Sequence, residues 1–89
     1  MGMQRSALVT GGAQGIGKAT VRRLLGAGWA AVIADIDEEA GRETAADYAA
    51  RGPVHFVPTD VAVEAQVAHA VAEAVARFGG LDLVVNDAY

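Results

Sequence analysis

The sequence contains no cysteine, so it can form neither a disulfide framework nor a metal site built on thiolates. Basic residues are few: seven lysines and arginines stand against eleven aspartates and glutamates, and the net charge of −4 argues against a nucleic-acid partner. No apolar run approaches the length of a membrane span. The first residues do not resemble a signal peptide. We therefore expect a cytoplasmic protein with neither a nucleic-acid nor a membrane partner.

Histidine is scarce as well, and His55 and His69 have no carboxylate cluster near them in the sequence, so no metal site is expected. The composition, 53% hydrophobic and 20% charged, is typical of a folded globular domain. With 89 residues the chain is long enough for one small domain and too short for two. We expect a single structural unit over residues 1–89.

Short apolar runs alternate along the chain with segments of helical composition. The predicted strands are residues 6–10, 30–34, 54–57 and 81–85, and the predicted helices are residues 15–27, 38–51 and 63–78. Strands separated by helices of this length run parallel, and continuous apolar strands suit a sheet that is covered on both faces. The sequence therefore predicts an α/β fold with a parallel sheet and the element order βαβαβαβ.

Two of the predicted helices carry an apolar stripe. In the first helix, four residues are expected on one face: Ile16, Ala19, Leu24 and Ala27. In the third helix, the stripe has spacings of four, four and three residues: Val67, Val71, Val75 and Phe78. At the start of this third helix Asp60 is a candidate N-cap, and Ala62 stands where a serine or threonine cap would be expected.

Polar residues mark the ends of the predicted strands. Thr10, Asp35 and Asn86 lie at the ends of the first, second and fourth strands, and Thr59 and Asp60 follow the third. The carboxyl ends of parallel strands share one edge, which is where open α/β sheets bind ligands. With the strand order 3-2-1-4, right-handed crossovers place the first two helices on one face and the third on the other. A cleft then opens between the first and fourth strands.

The glycine-rich stretch TGGAQGIGKAT, residues 10–20, allows two interpretations. Gly12 to Lys18 has the spacing G-x-x-x-x-G-K of a Walker-type phosphate loop, which needs a serine or threonine next to ligate Mg²⁺. The next residue is Ala19, and Thr20 is rotated by about 100° around the helix and so points elsewhere. This interpretation is therefore the weaker one.

A dinucleotide-binding loop explains more of the sequence. Glycines let the backbone approach a pyrophosphate closely, and a helix N-terminus stabilises its charge. Asp35 follows Gly17 by 18 residues, close to the spacing of about 20 expected for the acidic residue that holds the adenosine ribose. The glycines at 11, 15 and 17 do not, however, follow the usual G-x-G-x-x-G pattern.

This departure resembles the loop of the short-chain dehydrogenase/reductase family, T-G-x-x-x-G-I-G. Asp60-Val61 is similar to the pair that contacts adenine in that family, and Leu83-Val84-Val85-Asn86 is similar to the approach to its N-N-A-G motif. The resemblance covers nearly the whole chain and implies a Rossmann-type fold, incomplete relative to the family. It also implies that the coenzyme is bound by Thr10, Gly11, Gln14, Gly15, Ile16, Gly17, Asp35, Ile36, Asp60, Val61 and Asn86.

Charge favours NAD over NADP as the coenzyme. Asp35 can accept hydrogen bonds from ribose hydroxyls, whereas a 2′-phosphate beside it would place like charges together. Ile36, the next residue, offers no positive charge. Family members that prefer the 2′-phosphate often carry a basic residue in the loop where this chain has Gln14.

The resemblance implies hydride transfer between nicotinamide and an alcohol or carbonyl, but it assigns no catalytic residue here. In the family, a serine and a Tyr-x-x-x-Lys motif follow the N-N-A-G segment. Tyr48 lies on the second helix, and Tyr89 has no lysine after it, so neither matches that tyrosine. Tyr89 also stands where the motif has glycine. We expect these 89 residues alone to be inactive and to be the N-terminal dinucleotide-binding portion of a single Rossmann domain.

Two alternatives remain open from the sequence. The chain could be a truncated, non-catalytic module that binds a nucleotide or acts through its exposed sheet edge, or a phosphate-loop protein. In the 3-2-1-4 order the fourth strand would be an open edge with apolar surface, which favours self-association. We therefore expect a homo-oligomer or a poorly soluble chain.

Overall fold

The two central strands, β1 (Ser6–Thr10) and β2 (Ala30–Asp35), are runs of buried residues, as expected for strands covered on both faces. The computed structural model describes residues 4–87. The remaining elements are α1 (Gly15–Gly26), α2 (Glu38–Tyr48), β3 (Val54–Pro58), α3 (Glu64–Phe78) and β4 (Leu83–Asn86). A short 3₁₀ turn, Ala49–Arg51, follows α2.

All strand pairs are parallel and the strand order is β3-β2-β1-β4, so the predicted α/β fold and its 3-2-1-4 topology are confirmed. β4 starts two residues later than predicted. The Asp82 carboxylate accepts a hydrogen bond of 2.9 Å from the backbone N–H of Ser6, in a position where a strand carbonyl would otherwise accept it. The N–H of Asp82 donates to the Ser6 carbonyl at 2.9 Å, so the backbone and the side chain of Asp82 both bond to Ser6 just before β4 begins.

Helices cover the sheet in two layers. Val9 and Ile33 point from the central strands towards α1 and α2 and form one buried cluster. Leu8 and Val32 point the other way and pack against Ala70 and Ala74 of α3. Successive residues of a strand face opposite sides of the sheet, so the two layers use alternate positions of β1 and β2. The predicted distribution of the helices, two on one face and one on the other, is confirmed.

The core-facing side of α1 differs from the prediction. The structure buries Gly17, Val21 and Leu25, whereas Ile16 is 76% exposed. Of the other predicted residues, Leu24 is half-buried and Ala19 and Ala27 are exposed. The predicted stripe is wrong because Gly17 packs against the backbone of the glycine loop at Gly11, which rotates the helix and brings the spacing 17, 21, 25 onto the sheet.

The start of α3 also differs from the prediction. Its N-cap is Val63, which makes no side-chain capping bond. Asp60 is not the cap: its carboxylate accepts a 2.9 Å hydrogen bond from the N–H of Ala62, and its own N–H donates to Gln66 Oε1 at 2.7 Å. The helix therefore begins after a local Asx-type turn. The prediction that Asp60 caps α3 is wrong, and the cap position is residue 63 rather than 62; the lack of a side-chain cap at this helix start, expected from Ala62, is confirmed.

The residues of α3 that are fully buried against the sheet are the small residues Ala70 and Ala74. The predicted valine stripe lies beside them, and Val75 is 47% exposed. An apolar groove of about 310 Å³, which we call the β4 groove, lies between α3 and the edge strand β4. It is lined by Leu8, Thr10, Val61, Val67, Val71, Val84 and Asn86. The groove lies on the side of β1 where the sequence predicts a cleft.

Candidate functional site

The carboxyl ends of β1, β2 and β3 enclose a second, smaller cavity of about 150 Å³. It is lined by Gly11, Ala34, Asp35, Ile36, Thr59, Asp60 and Val61. Backbone hydrogen bonds fix the three strand ends to one another, from Gly11 N–H to the Ala34 carbonyl at 2.8 Å and from Thr59 N–H to the Asp35 carbonyl at 2.9 Å. The cavity is therefore held by main-chain bonds at the edge where open α/β sheets bind ligands.

The glycine loop folds tightly over the start of α1. A Cβ built on Gly17 would overlap the carbonyl oxygen of Gly11, so only glycine permits this close approach. Gly15 has a φ of +55°, in the left-handed region that residues other than glycine rarely adopt. These two positions explain why the loop needs glycines at 15 and 17, and they bring the N-terminus of α1 beside the cavity.

The N-terminus of α1 lacks its own negative partner. Its N-cap residue, Gln14, makes no side-chain capping bond, and its first turn contains no acidic residue. The first N–H groups of a helix have no acceptor within the helix and carry the positive end of its dipole. By contrast, α2 is capped by Asp37 and has Glu38 and Glu39 in its first turn. The start of α1 is therefore suited to an anionic group such as a pyrophosphate.

Asp35 is one of two acidic residues that line the cavity, with Asp60, and each oxygen of its carboxylate accepts a backbone hydrogen bond. Oδ2 accepts a 3.1 Å hydrogen bond from the N–H of Ala13, and Oδ1 accepts one of 3.0 Å from the N–H of Asp37. Each carboxylate oxygen can accept a second bond. Asp35 therefore keeps the capacity to accept bonds from a pair of hydroxyls, which fits the ribose of a dinucleotide.

The structure disfavours a Walker-type phosphate loop. The Lys18 ammonium lies 5.9 Å from the centre of the Tyr48 ring, in a cation–π contact with α2. The Thr20 hydroxyl donates a 2.9 Å hydrogen bond to the carbonyl of Ile16 within its own helix. Both side chains that would serve a nucleoside triphosphate and its Mg²⁺ are thus engaged elsewhere.

Thr10 joins the ends of β1 and β4. Its buried hydroxyl donates to Asn86 Oδ1 at 2.9 Å and accepts from the N–H of Asp87 at 3.1 Å. It therefore positions Asn86, which is itself exposed at the mouth of the β4 groove. Next to it, Asp87 Oδ2 is buried and has no hydrogen-bond partner within residues 4–87. Tyr89, expected where the family motif has glycine, lies outside the described residues.

The eleven residues predicted to bind the coenzyme all lie along this edge of the sheet. Five of them line the small cavity: Gly11, Asp35, Ile36, Asp60 and Val61. Four form the loop and the start of α1: Gln14, Gly15, Ile16 and Gly17. Thr10 and Asn86 lie at the β4 groove, which Val61 also lines. Their role in binding stays a prediction, now with a common location.

Sequence reasoning missed the two backbone N–H groups, of Ala13 and Asp37, that orient the Asp35 carboxylate. A sequence pattern carries no signal for such backbone contacts. Thr59, expected at this edge, lines the cavity, and its hydroxyl donates to the Val57 carbonyl. The capping role of Asp37 could have been found, because an aspartate directly before Glu38-Glu39 and an alanine-rich segment is typical of a helix N-cap.

Within the described residues, no three histidine, aspartate or glutamate side chains are grouped so as to hold a metal ion. His55 Nε2 lies 3.3 Å from Glu73 Oε1, between β3 and α3. In residues 4–87, no helix has the length and apolar character needed to cross a membrane.

Comparison with known proteins places these features in a family. The family model described as short chain dehydrogenase matches residues 5–88. An uncharacterized oxidoreductase of Thermotoga maritima is 48% identical over 83 residues, which cover 92% of this chain and 32% of that protein. A 2,5-dichloro-2,5-cyclohexadiene-1,4-diol dehydrogenase of Sphingobium indicum is 42% identical over 84 residues, 33% of its length. The chain thus spans about a third of these relatives.

Solved structures agree with this placement. The chain superimposes on a short chain dehydrogenase from Mycobacterium smegmatis with a TM-score of 0.91 and 36% identity, covering 96% of this chain and 37% of that one. The chain is also similar to a short chain dehydrogenase/reductase from Burkholderia phymatum, solved in complex with NAD, with a TM-score of 0.87 and 33% identity over 94% and 31% of the two chains. The chain belongs to the short-chain dehydrogenase family and forms an N-terminal part of its fold.

Proposed function

We propose that residues 1–89 are the dinucleotide-binding portion of a single Rossmann domain and bind NAD(H). The whole protein would be an oxidoreductase that transfers hydride between the nicotinamide and an alcohol or carbonyl substrate. The observation that carries the proposal is the Asp35 carboxylate, oriented by two backbone N–H groups beside the uncapped N-terminus of α1. An acidic hydroxyl acceptor next to an anion-binding helix end matches a ribose joined to a pyrophosphate.

Each part of the coenzyme has a matching feature of the chain. The pyrophosphate would be bound by the backbone of the glycine loop and the first turn of α1, and the adenosine ribose by Asp35. Ile36 is 70% exposed and Val61 39% exposed, although both line the cavity. Covering such apolar side chains with an adenine ring would remove them from water. The coenzyme supplies the hydride, and Thr10 would keep Asn86 in place on the nicotinamide side.

Charge supports NAD rather than NADP as the coenzyme. A phosphate on the 2′ position would lie beside Asp35, where two like charges about 4 Å apart repel by roughly 4 kcal/mol at an effective dielectric of about 20, before screening by salt. Within residues 4–87, no lysine or arginine forms an ion pair with Asp35. The side chain of Gln14 is neutral and the ammonium of Lys18 is directed at Tyr48.

Calorimetric titration of the chain with ADP-ribose and with 2′-phospho-ADP-ribose tests this proposal without requiring catalysis. We expect one ADP-ribose per chain and an affinity for the phosphorylated compound lower by about tenfold or more, since tenfold corresponds to only about 1.4 kcal/mol. Asp35→Asn should weaken ADP-ribose binding and reduce the difference in affinity between ADP-ribose and 2′-phospho-ADP-ribose. Glu39→Gln, which removes the same charge in the first turn of α2, is the control. Equal affinities would overturn the charge argument, and no binding of either compound would overturn the site.

The homo-oligomer expected from the sequence is a second part of the proposal. β4 is an edge strand, and Val84 on it is 54% exposed beside the β4 groove. Unpaired edges with apolar side chains favour association with another chain. Light scattering coupled to chromatography tests this, and a monomer at all working concentrations would contradict it. A cytoplasmic location, without nucleic-acid or membrane partners, stays a prediction that cell fractionation and binding assays can check.

A further inference from the structure

The side chain of Gln14 ties the glycine loop to the start of α2. Its Nε2 donates a 2.8 Å hydrogen bond to Asp37 Oδ2. The other oxygen of that carboxylate, Oδ1, accepts a 3.0 Å bond from the N–H of Ala40 and thereby caps α2. Both oxygens of Asp37 are thus engaged, one by the helix it caps and one by the loop. The carboxylate is held in one orientation although the residue is exposed.

The backbone of Asp37 is also bonded to the carboxylate of Asp35. The N–H of Asp37 donates to Asp35 Oδ1 at 3.0 Å, while the N–H of Ala13 donates to Asp35 Oδ2 at 3.1 Å. Gln14, the next residue after Ala13, then bonds to the side chain of Asp37. Hydrogen bonds to Asp35 and Asp37 therefore join the glycine loop to the start of α2. Within residues 4–87, neither carboxylate forms an ion pair with a lysine, arginine or histidine.

We propose that the Asp37 carboxylate, in addition to that of Asp35, selects against a 2′-phosphorylated coenzyme, and that Gln14 is the positioning residue that holds the Asp37 carboxylate next to the glycine loop. The inference rests on the proposed coenzyme site. A phosphate monoester carries a charge of about −1.5 to −2 at neutral pH, so each fixed carboxylate near it adds to the repulsion. A free Asp37 side chain could rotate away from the phosphate, and the bond from Gln14 opposes that rotation.

The substitution Asp37→Asn separates charge from structure. Asparagine is as good an N-cap as aspartate: its Oδ1 can accept from the Ala40 N–H as before, and its Nδ2 can donate to Gln14 Oε1 once the Gln14 amide has flipped. Only the negative charge is lost. We expect the affinity for 2′-phospho-ADP-ribose to rise by about three- to tenfold, because the removed charge is close but exposed to solvent. The affinity for ADP-ribose should stay within about twofold, since a neutral ribose gains little from the change.

Glu39→Gln is the matched control for Asp37→Asn. It removes one negative charge from the same turn of α2 but takes no part in the hydrogen bonds around Asp35. We expect its affinity ratio for the two compounds to stay within about twofold of the unsubstituted chain. If Glu39→Gln shifts the ratio as much as Asp37→Asn does, the effect is one of general charge and the proposal is overturned.

A double-mutant cycle tests the role of Gln14. Gln14→Met keeps the bulk of the side chain and removes the donor. Alone, it should raise the relative affinity for 2′-phospho-ADP-ribose, by less than Asp37→Asn does, because the charge remains but is no longer held. In the Asp37→Asn background it should leave the ratio unchanged, since its effect passes through Asp37. An equal shift in both backgrounds would overturn the positioning role.

The outcomes also distinguish this inference from the proposed function. If the unsubstituted chain binds ADP-ribose normally and Asp37→Asn leaves the affinity ratio unchanged, the selecting role of Asp37 is wrong and the coenzyme site stands. If the unsubstituted chain binds neither compound, both proposals are overturned. Circular dichroism of each variant, compared with the unsubstituted chain, shows whether α2 keeps its cap.

Discussion

Replacing Gly17 by alanine should destabilise the chain, although alanine is the better helix former. A Cβ at this position overlaps the carbonyl oxygen and carbon of Gly11 and comes within 3.1 Å of the Gly12 Cα. All three atoms belong to the backbone, so no side chain can rotate away and the loop itself must move. Overpacking of this kind costs about 1–3 kcal/mol, and a rigid backbone neighbour places it near the upper end. The helical preference of alanine over glycine returns about 1 kcal/mol. We expect a net loss of about 2 kcal/mol.

Gly26→Ala is the matched control, since it makes the same chemical change in the same helix. A Cβ built on Gly26 meets nothing within 4 Å, and its φ is not in the left-handed region. Here the preference of alanine acts alone, so we expect the free energy of unfolding to rise by about 0.5–1 kcal/mol. Urea unfolding followed by circular dichroism measures both variants, which should differ in sign and by about 3 kcal/mol in total.

The coenzyme site should respond in parallel. Moving the loop displaces the N–H groups at the start of α1, so Gly17→Ala should also weaken ADP-ribose binding, while Gly26→Ala should leave it unchanged. The reasoning would be refuted if Gly17→Ala were neutral or stabilising. It would equally be refuted if both variants bound ADP-ribose with the affinity of the unsubstituted chain.

The remaining predictions concern the core, a buried charge and the sheet edge. Thr44→Val removes a fully buried hydroxyl that donates a 3.1 Å hydrogen bond to the Ala13 carbonyl. The free energy of unfolding measured in urea should fall by about 1–2 kcal/mol, and an unchanged value would mean that this bond does not stabilise the loop. Asp87 Oδ2 is buried and has no hydrogen-bond partner within residues 4–87, so Asp87→Asn, which makes the side chain neutral, should raise the free energy of unfolding by about 1 kcal/mol. A lower free energy of unfolding would show that the carboxylate is stabilising. Val84→Lys places a charge on the edge strand and should reduce self-association in light scattering at equal concentration; an unchanged molar mass would mean that β4 is not the contact.

The topology was predictable because its signals are local. β1 and β2 are buried on both faces, so each is an unbroken apolar run that a polar residue ends, Thr10 in one and Asp35 in the other. Parallel strands need helical crossovers, and the right-handed crossover then fixes which face each helix covers. The residues at the carboxyl edge, among them Gly11 and Asp60, follow from that order.

The wrong predictions have two causes: a tertiary contact sets the buried face of α1, and a competing local turn precedes α3. The stripe expected on α1 included Ile16, but the contact between Gly17 and Gly11 rotates the helix and leaves Ile16 exposed. Asp60 has a side chain that can cap a helix, but its carboxylate accepts a hydrogen bond from the N–H of Ala62, two residues on. The helix α3 begins only after Val63. The bond between Gln14 and Asp37 joins residues 23 positions apart, so no periodicity in the sequence predicts it.

The most direct test of the account is a titration of the isotopically labelled chain with NAD, followed by two-dimensional NMR of its backbone amides. We expect saturable shifts concentrated at residues 11–17, at Asp35 and Ile36, and at Asp60 and Val61, with little change at the opposite edge of the sheet, where Arg5, Gly80 and Asp82 line a separate groove. Shifts confined to that opposite groove, or none at concentrations that saturate other NAD-binding proteins, would contradict the claim that the carboxyl edge of this sheet binds the coenzyme.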